Sequence, residues 1–484
     1  MPETEDAIET VIGRFGRYQT WIFFLMTIGR FPAEYQLVNV VFILPNSEFV
    51  CMDEAAFNIS NHCPCKNPQY DQTFIESSVT TNWDLICENR QLASLAQSML
   101  HAGILGGSIF YGHVSDRYGR KTACLLALFC EVLFTALSAA VPKFWMFVVF
   151  RFLIGTALGG TMLCCYVFLI ELSGTSFRPY ITALVEISYI SSYLSLPIIA
   201  YFVREWRYLQ LATSLPWSFV LLYYYLVPES PRWLITTGKK EKAIEVLTYI
   251  AKKNKRPIEN IRAVVEKVQG EAQSNDREQF GSYLDLFRTP KIRTYALLTA
   301  YVWTCCAFTF FGINQYIGKL QGNLFLNVML SAVSLVPGLF LVVIASLYLK
   351  RKVGVLTSFM VASGSLFVFI FIPKNMDTVE LVFAIIGQLG AYTAFMQIYL
   401  FTSEIFPTII RNSAMGFVSV FARFGSFTAP FVVNIGIEWV SITIFCVLAF
   451  IAASLCYFLP ETKDSVLLNT VQQTEKLRSR KINT

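Results

Sequence analysis

Residues Phe144–Arg178 read FWMFVVFRFLIGTALGGTMLCCYVFLIELSGTSFR. From Phe144 to Ile170 one charge, Arg151, interrupts an apolar run, and the character changes at Glu171. A helix crossing a ~30 Å hydrocarbon core needs about 20 apolar residues, so this stretch predicts a transmembrane helix that ends on a polar membrane face. Its polar end, Glu-x-x-x-Thr-x-x-Arg over Glu171–Arg178, returns 233 residues later as Glu404-Ile-Phe-Pro-Thr-Ile-Ile-Arg411. A second pair, Pro228-Glu229-Ser230-Pro231-Arg232 and Pro460-Glu461-Thr462-Lys463, is offset by 232. Two motif pairs at one offset, near half the chain, predict two related halves repeated in parallel about an axis along the membrane normal. Chance similarity of loop residues does not explain a shared offset at shared positions.

Similar apolar runs lie on both sides. They read as spans Tyr18–Leu44, Gln91–Tyr111, Thr122–Val141, Phe144–Ile170, Tyr180–Val203, Tyr208–Val227, Arg293–Gly312, Leu326–Leu349, Val355–Ile372, Glu380–Thr402, Met415–Ile437 and Val440–Leu459, numbered 1 to 12. The expected architecture is all-α. A six-helix bundle over 1–227 carries an extracellular Cys-rich loop at 45–90; a cytoplasmic linker at 228–292, a second six-helix bundle at 293–463 and a tail at 464–484 follow. Only 15% of the 484 residues are charged and 55% are hydrophobic, too apolar a chain to cover its surface in water. The net charge of +6 is topological in origin. With the N-terminus inside, and Arg293 counted at the inner end of span 7, 29 of the 39 Lys and Arg residues face the cytoplasm and seven face out. Nucleic acid is therefore not an expected partner; the lipid bilayer is. The first apolar run is too long for a signal-peptide core, so no cleavable leader is expected.

Four of the twelve cysteines, Cys51, Cys63, Cys65 and Cys87, fall in the loop after span 1. On an oxidising face they read as two disulfides, with three connectivities open. Asn58-Ile59-Ser60 in the same loop is a glycosylation sequon. Cysteines and sequon together point to a secretory-pathway membrane, the plasma membrane above all, with both termini cytoplasmic. Zinc on Cys63-Pro64-Cys65 with His62 is the competing reading; no metal is expected.

After span 2 comes Gly112-His-Val-Ser-Asp116-Arg117-Tyr-Gly119-Arg120-Lys121, whose glycines permit a tight turn. Its repeat partner near Ala345–Gly354 is basic but lacks the Asp. Asp116, Arg117, Arg120, Glu171, Arg178, Glu229, Arg232, Glu404, Arg411 and Glu461 are the expected gating set, a charged latch on the inside face that closes and opens with alternating access.

The Gly112–Lys121 motif resembles the signature of the major facilitator superfamily. More narrowly, Gly13-x-Phe15-Gly16-x-Tyr18-Gln19, Trp83-Asp84-Leu85-Ile86-Cys87, Arg151-Phe152-Leu153-x-Gly155, Glu171-Leu172-Ser173, Trp206-Arg207 with Leu215-Pro216, Pro228–Leu234 and Glu404–Gly416 resemble the organic cation, organic anion and carnitine transporters of solute carrier family 22. The resemblance runs nearly full length. Sugar porters share the Pro-Glu-Ser-Pro-Arg and Pro-Glu-Thr elements; the Cys loop and Trp-Asp-Leu-Ile-Cys favour the organic ion family.

Charges inside spans cost roughly 2.5–3.5 kcal/mol each at a helix centre and mark pathways. Arg30 and Glu34 on span 1 stand four residues apart and can pair. Glu186 lies on span 5 and Arg423 on span 11; the repeat offset maps Glu186 to Ser419, one turn from Arg423. In Ala422-Arg423-Phe424-Gly425-Ser426 the resemblance implies Asp in cation carriers and Arg in anion and carnitine carriers. Typical anion exchangers add a Lys on span 8, which Leu335–Leu339 lacks. The expected substrate contacts are Arg423, Glu186, Arg30, Trp303, Phe310, Phe311, Tyr193 and Tyr392. Phe308, Tyr189, Phe395 and Tyr399 are further aromatic candidates, and His101 is a candidate proton carrier. A pair of Glu186 with Arg423 is the structural alternative to substrate contact.

No catalytic constellation or ATP-binding loop appears, and no cofactor is expected. The chain reads as a secondary transporter, not an enzyme, for a small organic anion or zwitterion. It would be coupled to H⁺, Na⁺ or a counter-substrate. An organic cation carrier, a sugar-type facilitator and a non-transporting receptor are the alternatives.

Overall fold

Span 2 runs unbroken from Arg90 to Tyr118, through most of the stretch whose glycines suggest a turn. The reversal takes one residue, Gly119, at φ +112°, in a region that side chains rarely adopt, and span 3 starts at Arg120. This computed structural model describes residues 7–53, 59–275, 283–373 and 376–463. The twelve expected spans are all helical. Nine helices among the described residues are long and apolar enough to cross a membrane by length and composition.

Span 1 is three consecutive helices, Arg17–Gly29, Phe31–Val38 and Val40–Ile43, and span 6 changes from α (Trp206–Ala212) to 3₁₀ (Leu215–Leu222) and back (Tyr223–Leu226). Pro32 and Pro216 sit in the first turns of their segments, where the missing N–H costs least. Span 11 begins at Thr408, seven residues before the apolar run does, because Pro407 ends the preceding extended stretch and the polar Arg411–Asn412 turn is already helical. Large apolar side chains are exposed along the spans, among them Phe202, Phe340 and Val149, a surface suited to lipid tails.

Clustering of contacts gives two units. The first comprises Met1–Asn39, Gly103–Ile199 and Trp206–Glu278; the second comprises Val40–Ala102, Ala200–Glu205 and Gln279–Thr484. These are not the two sequence halves, and the second unit shows why. The Ser94 and Ser98 hydroxyls donate to the carbonyls of Pro430 (3.1 Å) and Phe427 (2.6 Å) on span 11, and Phe42 stacks on Phe325 at 5.8 Å. In the first unit, the linker expected as a loop is largely helical. Pro231–Thr236, Lys240–Lys253 and Ile261–Asn275 pack Leu234, Leu247, Ile250 and Val265 against Ile8, Val11 and Ile12 of the N-terminal helix Ala7–Ile12.

The loop after span 1 departs from an all-α pattern. Its strands β1 (Phe49–Cys51), β2 (Ile59–Ser60) and β3 (Pro68–Tyr70) form a small antiparallel sheet in the order β2-β1-β3. Cys51 bonds Cys65, and Cys63 bonds Cys87 at the foot of span 2. Asn58 lies outside the described residues. An impermeant maleimide applied to intact cells should label none of the four cysteines before reduction, and Asn58→Gln should speed migration of the cell-expressed protein on gels. Labelling without reductant, or unchanged mobility, would contradict the respective claim.

Candidate functional site

In the second unit, spans 7 (Pro290–Ile317) and 10 (Asp377–Ile405) bring the expected aromatic residues together. The Trp303 indole N–H donates to Thr402 Oγ1 at 2.9 Å, and its ring meets Tyr399 edge-on at 4.3 Å. Tyr399 contacts Phe395 (5.6 Å), Phe395 stacks on Phe310 (5.7 Å), and Phe310 reaches Tyr392 (6.0 Å) and Phe311 (5.2 Å). Phe311 ends the series against His101, 4.9 Å away. Trp303, Phe310 and Tyr392 are buried within this wall. Its open surface belongs instead to Phe311, Phe395 and Tyr399, the last 37% exposed. Phe308 is core, packed on Phe445 at 5.0 Å.

Arg423 is half-buried on span 11 (Thr408–Val433) with Tyr399 as its titratable neighbour. Gly425 sets the distance of this helix from span 7, because a Cβ there would strike the Thr304 carbonyl oxygen. Among the described residues the buried or half-buried ion pairs are Arg30–Glu34, Arg120–Glu171 and Arg351–Glu404, and no carboxylate pairs with Arg423. A half-buried guanidinium with no carboxylate of the described residues beside it is a fork open to a carboxylate from elsewhere.

Arg30 differs. Its Nη2 lies 2.5 Å from Glu34 Oε1, both side chains buried, so it presents no free cation. Ser188 donates weakly to the same oxygen at 3.4 Å. Glu186 is half-buried in the same unit, with Glu34 and Arg30 as its charged neighbours. Tyr193 is fully buried and tilts against Tyr189 at 6.0 Å.

Seven of the ten gating residues fall into two related networks. In the first unit Arg120 Nη1 pairs with Asp116 Oδ1 at 2.6 Å, and its Nε donates to both Glu171 oxygens at 3.0 and 3.2 Å. Ser230 donates to Glu171 at 2.5 Å, and Arg232 Nε donates to the Glu171 carbonyl at 3.2 Å. Glu229 accepts from the amide of Lys121 at 2.9 Å, at the N-terminus of span 3. In the second unit Arg351 Nε donates to both Glu404 oxygens at 3.2 Å, and Thr462 donates to Glu404 at 2.6 Å. Glu461 accepts from the amides of Arg351 (2.8 Å) and Lys352 (3.2 Å), at the start of span 9 (Arg351–Ile370). Arg178 opens span 5 (Arg178–Phe202), and Arg117 is exposed beside the Tyr118 ring. Arg351, Ser230 and Thr462 were not among the expected gating residues; the repeat offset of 232 carries Arg120 to Lys352, one residue past Arg351.

Sequence reasoning also passed over a polar layer inside the first unit. Arg151 Nη1 donates to Gln36 Oε1 (3.1 Å), Gln36 Nε2 to Gln210 (2.9 Å), and Gln210 Nε2 to Ser138 (3.2 Å). Glu131 on span 3 lies in this region with 1% exposure.

A family model described as sugar (and other) transporter matches residues 57–471. Solute carrier family 22 member 3 of Rattus norvegicus is 34% identical over 445 residues, covering 90% of this chain and 79% of the relative. Organic cation/carnitine transporter 2 of Homo sapiens is 27% identical, covering 98% and 95%, and an organic cation transporter protein of Drosophila melanogaster is 27% identical, covering 97% and 94%. The fold is that of the xylose transporter XylE from E. coli in its inward open conformation, with a TM-score of 0.66 at 18% identity, covering 93% of this chain and 98% of that one. With the family model spanning most of its length and a full set of facilitator helices, the chain belongs to solute carrier family 22 of the major facilitator superfamily, a family of multi-pass membrane transporters.

Proposed function

We propose that this chain is a secondary transporter that moves a small organic ion bearing a carboxylate, an organic anion or a carnitine-like zwitterion, by alternating access. The observation that carries the reading is Arg423, a half-buried guanidinium on a spanning helix with no carboxylate of the described residues beside it. Arg423 takes the carboxylate through its planar fork. The half-buried rings of Phe311 and Phe395 and the exposed ring of Tyr399 cover the apolar body of the substrate or face its cationic head. Glu186, at the near-equivalent place in the repeat, faces the cationic head of a zwitterion. The protein would work in the plasma membrane with both termini cytoplasmic, in line with the distribution of Lys and Arg.

An organic cation substrate is the second reading. It is favoured by the excess of Glu34 and Glu186 over Arg30, and by the names of two relatives. Uptake of labelled carnitine, benzoate and tetraethylammonium into cells, with and without Na⁺, separates the two. Carnitine or benzoate should enter and tetraethylammonium should not; robust tetraethylammonium uptake that survives Arg423→Ala overturns the carboxylate reading. Glu186→Gln should weaken carnitine uptake about tenfold while sparing benzoate, since it removes the negative charge facing the trimethylammonium head, a Coulombic contact of about 1–4 kcal/mol at 4 Å. Equal loss for both would place Glu186 in a structural role.

A further inference from the structure

We propose that Glu131 is a proton-binding site and that transport is coupled to its protonation, an inference that rests on the transporter reading above. Glu131 stands in the middle of span 3 (Arg120–Ser138), 1% exposed, and neither carboxylate oxygen has a hydrogen-bond partner among the described residues. Structure rarely tolerates this. A buried ionised carboxylate with no hydrogen bond costs several kcal/mol, whereas the neutral acid does not. Acidic side chains inside spans are rare, and they mark ion and proton paths.

The surroundings supply the rest of a coupling device. Arg151 of span 4 and Glu34 of span 1 are the charged groups facing Glu131; Tyr111 of span 2 and Cys130 of its own helix are the other titratable neighbours. Arg151 is fully buried, and its Nη1 donates to Gln36 Oε1, 3.1 Å away on span 1. Gln36 is held in turn by Asn39 (3.0 Å) and by Gln210 of span 6 (2.9 Å). The chemistry is a reversible transfer: Glu131–COOH gives up H⁺ to water, and the carboxylate that remains is neutralised by the Arg151 guanidinium. A guanidinium drawn to Glu131 loosens its bond to Gln36. Loss of the proton is thereby felt on span 1, at the segment between the breaks after Gly29 and Val38. Proton and substrate are linked through the helix that also carries the Arg30–Glu34 pair. The arrangement is independent of Arg423 and of the sign of the substrate.

Two measurements on the purified full chain in proteoliposomes test this. The first needs no substrate: the infrared band of a protonated carboxyl group in a water-free site should appear in the wild type and vanish in Glu131→Gln. The second uses the best-transported member of carnitine, benzoate and tetraethylammonium. Its accumulation by the wild type should shift with an imposed pH gradient, up to about tenfold per pH unit for one proton. Glu131→Gln, nearly isosteric with the acid, should exchange labelled for unlabelled substrate normally yet lose the response to the gradient. The same infrared band in wild type and variant, a wild type indifferent to the gradient, or a variant that still follows it would each overturn the proposal. Failure to exchange any of the three compounds would count against the substrate reading alone, because the infrared comparison still decides Glu131.

Discussion

Replacing Arg423 by alanine is expected to abolish uptake of a carboxylate-bearing substrate while leaving the protein folded and at the cell surface. The side chain is half-buried and makes no ion pair with a described carboxylate, so its removal breaks none of the networks that hold the spans together. The cost falls on the substrate, whose carboxylate would enter a partly desolvated place with no counter-charge. Truncating one partner of such a pair costs about 2–5 kcal/mol, a loss of roughly 30-fold or more in affinity. Arg423→Lys should recover little, because an ammonium has one strongly hydrated charge where the guanidinium has a fixed two-pronged donor. Arg423→Asp should turn preference towards tetraethylammonium. Concentration-dependent uptake, normalised to surface protein, checks all three. A normal apparent affinity for carnitine in Arg423→Ala would sink the assignment.

Much of the fold was legible because membrane spans announce themselves by length and apolarity. Phe144–Ile170 reads as one helix and is one, ending at Leu172. The repeat was legible because Glu171 and Glu404, and Glu229 and Glu461, answer to a common offset, and they occupy matching places in the two networks. What stayed hidden lacks a periodic or compositional signature. The break after Gly29 is marked in sequence only by Pro32, and the break after Val38 has no mark that hydropathy sees. Arg351 was missed because its segment has no counterpart of Asp116, so the motif looked lost although its working residue was kept. Glu131 was missed because one acid within Leu-Phe-Cys-Glu-Val-Leu-Phe reads as noise until burial on every side becomes visible. The aromatic candidates were found as a group but not ranked. Packing alone decides that Phe395 and Tyr399 keep open surface while Trp303 and Phe310 do not.

Arg120→Ala and Arg351→Ala should produce the same defect, a maximal rate about tenfold lower with apparent affinity changed less than about twofold. Each arginine joins the start of one helix to the glutamate closing another, Arg120 from span 3 to Glu171 at the end of span 4, and Arg351 from span 9 to Glu404 at the end of span 10. Both glutamate side chains are mostly buried, and loss of the guanidinium leaves each with a single hydroxyl, from Ser230 or Thr462. Leaving a buried charged group short of partners costs about 1–3 kcal/mol, and 1.4 kcal/mol already moves a two-state equilibrium tenfold. The networks lie at helix ends and include none of the expected substrate contacts, so the cost falls on the balance between conformations and not on contacts with substrate. Because Arg120 and Glu171 act as one unit, Arg120→Ala combined with Glu171→Ala should be no worse than either change alone, a coupling of the kind double-mutant cycles detect. The same should hold for Arg351 with Glu404. Additive losses would mean that the two residues act separately. A normal maximal rate with much weakened affinity would move the networks from gating to substrate binding.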